Sequence, residues 1–244
     1  MPASCIIIYY HSIRKDEIPS FARQLDCILK YTTPIPIGYD GSLKNGIRYS
    51  IITFDDAFQS VVDNAAQELL KRKIQFTIFI PAGQLGKKPS WLCDTGDRDE
   101  DETVATIDQL LKLPSGYVSF GSHTVNHPRL TSLNDNDAYK EIKLSKDMLE
   151  TYFNHPIKFL AIPYGACDQR IIDLCKTAGY EKIFTINNES PYRPFINFEK
   201  GRVGVNPEDW LIEFKLKIMG AYSWMPLASS IKKDVLKSLN IRST

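Results

Sequence analysis

The chain has 244 residues, of which 43% are hydrophobic and 24% charged; this is ordinary globular usage and excludes disorder, collagen or coiled coil for most of its length. A chain of this size buries about 70–75% of its unfolded surface without disulfide staples, and one α/β barrel of about 250 residues is as natural as two smaller domains. Thirty Lys and Arg against 29 Asp and Glu leave a formal charge of +1, so no global field favours a nucleic-acid or membrane-surface partner.

The first apolar run, residues 5–10, has no basic flank and is too short for a signal peptide or a membrane span; it reads as a buried strand. Ser20 is placed to cap a helix with Phe21, Leu25, Ile28 and Leu29 on one face. A strand over 48–54 leads to a helix over 58–72, with Val61, Val62, Ala65, Leu69 and Leu70 at helical spacing. A strand over 75–80 ends at Pro81, a helix covers 103–113, and a strand follows over 117–120. A longer helix over 135–152 carries Tyr139, Ile142, Met148, Leu149 and Tyr152. A strand over 158–162 closes at Pro163, Asp168 caps a helix to Ala178, and Gly179 ends it. Short strands over 182–186 and 202–205 precede helices over 209–219 and 230–239.

This alternation argues for parallel strands covered by helices, and about seven such units suit a single distorted (β/α)7 barrel better than an open sheet. The acidic stretch 94–102 reads as a solvated surface loop, and the long loop 187–200 as the rim of a site. Cys5, Cys27, Cys93, Cys167 and Cys175 are odd in number and scattered, with no Cys-x-x-Cys pair. They read as reduced thiols of a cytoplasmic protein.

Three motifs fall at the carboxyl ends of predicted strands, which in a parallel barrel share the face where active sites form. Thr53, Phe54, Asp55 and Asp56 end the second strand. Adjacent carboxylates repel, at a cost that falls if one binds a cation and the other works as a base; an Asp pair before a helix also serves as a turn or cap. Ser122, His123, Thr124, Val125, Asn126, His127 and Pro128 follow the fourth strand. Histidines at i and i+4 can chelate one metal, and with a carboxylate they make a triad that leaves positions for water and substrate. Ala161, Ile162, Pro163, Tyr164 and Gly165 close the fifth strand as a rigid turn whose backbone N–H groups can serve as an oxyanion hole.

Together, in this order and spacing, the motifs resemble those of the polysaccharide deacetylase family, the carbohydrate esterases with a nodulation-type deacetylase homology domain. The resemblance runs from about Ile6 to Val205. It implies one catalytic domain over 1–244, with a core of about 5–220 and a C-terminal helical extension of about 221–244. It implies a divalent metal, Zn2+ before Co2+, Ni2+ or Mn2+, held by Asp56, His123 and His127, with Asp55 as general base. Pro163 and Gly165 are similar to the third motif, where the Tyr164 backbone N–H is expected to stabilise the oxyanion.

Three places depart from the family pattern. Ala57 stands where glycine is common, and Ala161 where an arginine often supports the base; Arg202 is a substitute for that arginine or a substrate contact. The chain has no histidine after His155, whereas the family's catalytic histidine usually lies in a late motif. His11 follows the first strand in the sequence Tyr9, Tyr10, His11, Ser12. That context is similar to the circularly permuted poly-N-acetylglucosamine deacetylases, and it implies His11 as the general acid. His155 precedes its strand and receives no role.

The reaction so implied is metal-dependent hydrolysis of an N-acetyl group from an amino sugar in a polysaccharide, lipid-linked or nucleotide-linked glycan, with deformylation also open. Trp91, Pro163 and Arg202 are candidate substrate contacts, and Tyr192, Phe195 and Trp224 candidate groove aromatics. The rival readings are a non-catalytic carbohydrate-binding protein on the same fold and an amidase acting on a non-sugar amide. The partner expected is a carbohydrate, with no nucleic acid and no membrane span; the sequence is silent on oligomeric state.

Overall fold

The computed structural model describes residues 2–93, 96–186 and 197–221. Its strands are β1 (Ser4–Tyr10), β2 (Thr33–Pro34), β3 (Arg48–Phe54), β4 (Phe76–Ile80), β5 (Val118–Ser122), β6 (Phe159–Ala161), β7 (Lys182–Thr185), β8 (Glu199–Gly201) and β9 (Val203–Gly204). All pair in parallel, in the order β8-β7-β6-β5-β4-β3-β1-β9, and β2 joins β3 off that path. β8 and β9 are two ends of one segment broken only at Arg202. The segment pairs with β7 at one end and β1 at the other, which nearly closes a barrel of seven staves. The predicted strand over 202–205 is thus longer than expected and is the stave that joins the two edges.

Successive side chains of a strand point to opposite faces. Ile6, Ile8 and Tyr10 of β1 meet Ile52 and Phe54 of β3 and Leu25, Leu69 and Leu149 of the covering helices in the outer core layer. Ile7, Ile51, Phe79 and Phe184 fill the barrel interior. Burial on both faces is why the strands read as unbroken apolar runs rather than as alternating ones.

The helices correct several boundaries. α1 (Ile18–Tyr31) starts before Ser20, because Pro19 sits in its first turn, where a missing N–H is harmless. Ser20 Oγ instead accepts from Arg23 Nη2 at 2.9 Å. Phe21, Leu25 and Ile28 are buried, whereas Leu29 is 45% exposed. Phe58 forms an isolated bridge with Val104, so the helix expected from residue 58 begins after it, and a π turn over Val61–Ala65 leads into α2 (Ala66–Lys71). The same bridge keeps Val104 extended; α3 (Ile107–Leu111) is shorter than predicted and opens on a capping box of Thr106 and Gln109. α4 (Asp135–Phe153) and α5 (Gln169–Thr177) lie where expected, and Asp168 Oδ1 accepts from the Ile171 N–H at 2.9 Å. α6 (Leu211–Ile218) ends the described elements. The helix predicted over 230–239 and the groove candidates Tyr192, Phe195 and Trp224 lie outside the described residues. Among the described residues no helix is long and apolar enough to cross a membrane.

Of the acidic stretch 94–102, predicted as a solvated loop, the described residues 96–102 are not simply solvated. Asp99 is buried, accepts from Ser12 Oγ at 2.5 Å and pairs with Arg98, whose guanidinium also bonds Glu17, Ser12 and Asn206. This network ties the loop to the segment just after β1.

Candidate active site at the carboxyl ends of the strands

His11, Asp55, Asp56, His123, His127 and Tyr164 line one cleft at the ends of β1, β3, β5 and β6. Asp56 Oδ1 stands 3.6 Å from His123 Nε2 and 3.4 Å from His127 Nε2, and one ligand atom from each of the three residues lies within 4.8 Å of the others. All three side chains are buried, and Asp56 Oδ1 has no hydrogen-bond partner among the described residues. Burial, together with the adjacent Asp55 charge, pushes the Asp56 carboxyl well above its usual range. Burial also pulls the imidazole of His123 down to about 4 and that of His127 to about 2, so both are neutral at pH 7. An orphaned buried carboxylate oxygen facing two neutral imidazoles costs stability unless a cation completes it, and one carboxylate with two imidazoles is a donor set that suits a divalent ion.

The fold holds each of these groups differently. The His123 N–H joins the ladder at the Ile80 carbonyl, 2.8 Å away. Its Nδ1 lies 2.8 Å from the Ala161 carbonyl; a carbonyl only accepts, so Nδ1 carries the proton and Nε2 presents its lone pair. His127 lies between the Trp91 ring, stacked at 4.5 Å, and the edge-on Tyr164 ring at 4.8 Å. Asp56 and Ala57 both have left-handed backbone, with φ of 64° and 52°. Ala57 thus adopts a conformation that glycine takes without strain. Ala57→Gly relieves about 1 kcal/mol of strain and forfeits about 0.8 kcal/mol of methyl burial, so a melting temperature within a few degrees of wild type is expected by calorimetry.

Asp55 is gripped by Arg202. Nη1 and Nη2 donate to its two carboxylate oxygens at 2.6 and 2.7 Å, and Nη1 also reaches Thr53 Oγ1 at 3.1 Å. Arg202 is fully buried in the barrel, its guanidinium carbon 4.7 Å from the Tyr9 ring centre and 5.2 Å from that of Phe79. Burial alone would raise the Asp55 pKa; the Arg202 charge outweighs it, with help from the neighbouring imidazoles, and holds the carboxyl at about 2. Arg202 therefore does not line the cleft as a substrate contact would. It stands behind Asp55 and comes from a different stave than Ala161.

His11 Nε2 lies 4.0 Å from Asp56 Oδ2, the carboxylate oxygen turned away from the other two histidines, and its side chain is 46% exposed to the cleft. Tyr164 has φ of 58°, and among the described residues nothing accepts from its N–H, whereas the N–H groups of Gly165 and Ala166 close the turn on Ile162 and Pro163. Trp91 is half-buried on the cleft wall, and Pro163 is buried beneath the turn rather than in the lining. The network of Arg98 and Asp99, which also line the cleft, escaped the sequence reading. Its one signal was a lone arginine inside an acidic run.

A family model described as polysaccharide deacetylase matches residues 43–183. The candidate polysaccharide deacetylase YxkH of Bacillus subtilis (strain 168) is 23% identical over 157 residues, 64% of this chain; the chain spans about half the length of that relative. Among solved structures, IcaB from Ammonifex degensii superposes with a TM-score of 0.74 at 20% identity, covering 89% of this chain and 99% of that one. The Streptococcus pyogenes deacetylase PplD, solved in complex with acetate, gives 0.71 at 20% identity, with the same coverage. At these identities the structural likeness speaks for the fold.

Proposed function

The chain belongs to the polysaccharide deacetylase family, and from that premise we propose that it is a metal-dependent hydrolase removing N-acetyl groups from an amino sugar in a polysaccharide, lipid-linked or nucleotide-linked glycan. The observation that carries this reading is the convergence of Asp56, His123 and His127 beside a second aspartate locked by a buried arginine. Asp56, His123 and His127 are the residues that would hold the ion, with Zn2+ the first candidate. A bound divalent ion supplies Lewis-acid polarisation of the acyl carbonyl and makes water more acidic. Asp55 takes the proton of the attacking water, whose oxygen adds to the acetyl carbon. The Tyr164 N–H donates to the developing oxyanion, where one such donor is worth about 2.7–4 kcal/mol. His11 delivers a proton to the departing nitrogen as the carbon–nitrogen bond breaks, leaving acetate and a free amine. Trp91 presents the unstacked side of its ring to the sugar.

The pairing of Arg202 with Asp55 favours this reading over a bare carbohydrate-binding role, since a binding module gains nothing from fixing a carboxylate beside a metal triad. The Arg98 and Asp99 network steadies the segment that carries His11. The scattered cysteines support the cytoplasm as its location.

The test is release of free amine from a panel of acetylated and formylated amino sugars, with and without added Zn2+ or Co2+. Metal-stimulated release is expected. Stoichiometric Zn2+ uptake by wild type should disappear in His123→Ala; a variant that keeps full occupancy removes His123 from the site. Turnover unaffected by chelator and added metal alike would end the metal-dependent reading.

A further inference from the structure

We propose that Glu141, on α4, is a positioning residue that sets the 123–127 loop so that His127 faces Asp56; this rests on the metal-dependent reading above. The two histidines are not anchored alike. His123 is held by β4 and β6 through its backbone N–H and its Nδ1. His127 is held only from within its own loop: its backbone N–H donates to Thr124 Oγ1 at 3.1 Å, its buried Nδ1 has no hydrogen-bond partner outside its own residue among the described residues, and rings flank it. It sits in a loop whose Thr124 and His127 both have left-handed backbone, φ 66° and 59°. Non-glycine residues are strained in that region and hold it only where their surroundings enforce it.

Glu141 supplies that enforcement. Its Oε2 accepts the backbone N–H of Val125 at 2.9 Å and of Asn126 at 2.8 Å, and its Oε1 accepts from Asn126 Nδ2 at 2.7 Å. Two successive N–H groups aimed at one oxygen form an anion-binding concavity, here filled by a side chain of the same chain. The segment after β4 closes the other side: the N–H groups of Ala82 and Gly83 donate to the carbonyls of Thr124 and Val125, and Gln84 Nε2 donates to Asn126 Oδ1. Without the carboxylate, the 125 and 126 amides lose their acceptor. The left-handed residues on either side then relax, and His127 moves with them. Glu141 touches none of the reacting groups and acts only through the loop.

The experiment is Zn2+ titration of the metal-free full chain, read as affinity, with the visible spectrum of the Co2+-loaded protein as a report on ligand geometry. Glu141→Ala is expected to weaken Zn2+ about 10–100-fold, the usual effect of losing a group that orients a metal ligand. Glu141→Gln keeps an oxygen at the same reach for both backbone N–H groups and should recover most of the affinity, whereas Glu141→Asp keeps the charge but withdraws it and should not. Glu150 is the control. It lies on the same helix, and its Oε1 likewise accepts a backbone N–H, that of Ile157 at 3.0 Å, away from the cleft. Glu150→Ala should lower the melting temperature and leave Zn2+ affinity and the Co2+ spectrum unchanged. Wild-type affinity in both Glu141→Ala and Glu141→Asp, or an equal loss in Glu150→Ala, overturns the proposal. Failure of the wild-type protein to bind Zn2+ at all overturns the metal reading itself and is recognisable before any variant is made.

Discussion

Arg202→Met is expected to lower stability by about 3–5 kcal/mol, because it strips the charged partner from a buried carboxylate. Asp55 is 3% exposed and Arg202 is fully buried, with both carboxylate oxygens committed to the guanidinium. Replacing both members, as Asp55→Asn with Arg202→Met, should cost less than Arg202→Met alone, since no uncompensated charge remains. Chemical denaturation of the four proteins of that cycle measures the difference; a double variant no more stable than Arg202→Met would show that Arg202 matters through packing against Tyr9 and Phe79 instead. The pH dependence has a definite sign. Asp55 has a folded-state pKa of about 2 against an ordinary 3.8, so its contribution is present above pH 3.8 and is lost as pH falls toward 2. The gap between wild type and Arg202→Met should narrow across that window.

The same pair bears on catalysis in a less obvious way. A carboxylate held near pKa 2 is always ionised at neutral pH but is a weak proton acceptor, and general bases work best with a pKa near the working pH. Arg202 therefore gives Asp55 position at the expense of basicity. A divalent ion held by the neighbouring triad would acidify the water that so weak a base has to deprotonate. Asp55→Asn should accordingly leave Zn2+ affinity largely intact while kcat falls steeply, by about 10²–10⁴-fold. A variant that loses metal but turns over in excess Zn2+ would mean that the roles of the two aspartates are exchanged.

The barrel was legible because its strands are short, apolar and regularly spaced, and because parallel strands put their carboxyl ends on one face. That rule alone brings His11, Asp55, Asp56, His123, His127 and Tyr164 to one cleft. Side-chain partnerships across the barrel were not legible in the same way. Arg202 and Asp55 are 147 residues apart, and no local pattern says that an arginine in the last stave reaches the second one through the interior. Asp99 was misread because a run of charges reads as solvated until Ser12 and Arg98 are seen around it. Glu141 shows the same limit. At helical spacing it is one more polar residue, and only the fold turns it toward the 125 and 126 amides.

His11→Ala should cost about 10²–10⁴-fold in kcat on an N-acetyl substrate, the range for losing a general acid. The candidates for that role are few. His123 and His127 point their Nε2 atoms at Asp56. His155 is exposed at the end of α4, its ring stacked on Phe153 and its Nδ1 3.2 Å from the Pro156 carbonyl. His11 alone of the four histidines is both in the cleft and partly open to it, with the Tyr9 ring edge-on at 5.5 Å and Ser12 beside it fixed by Asp99. A proton donor here should stand near the metal ligands without being one, so that an imidazole nitrogen can reach a leaving nitrogen; 4.0 Å from the far oxygen of Asp56 meets that demand. Leaving-group chemistry separates this role from a structural one. An amide nitrogen cannot depart as an anion and needs the proton, whereas the phenolate of an activated acetate ester departs unaided. His11→Ala should therefore hydrolyse the ester at close to the wild-type rate while failing on the amide, with Zn2+ affinity unchanged. Equal losses on both substrates would remove the leaving-group role from His11, and a loss of Zn2+ with the activity would make it a ligand instead.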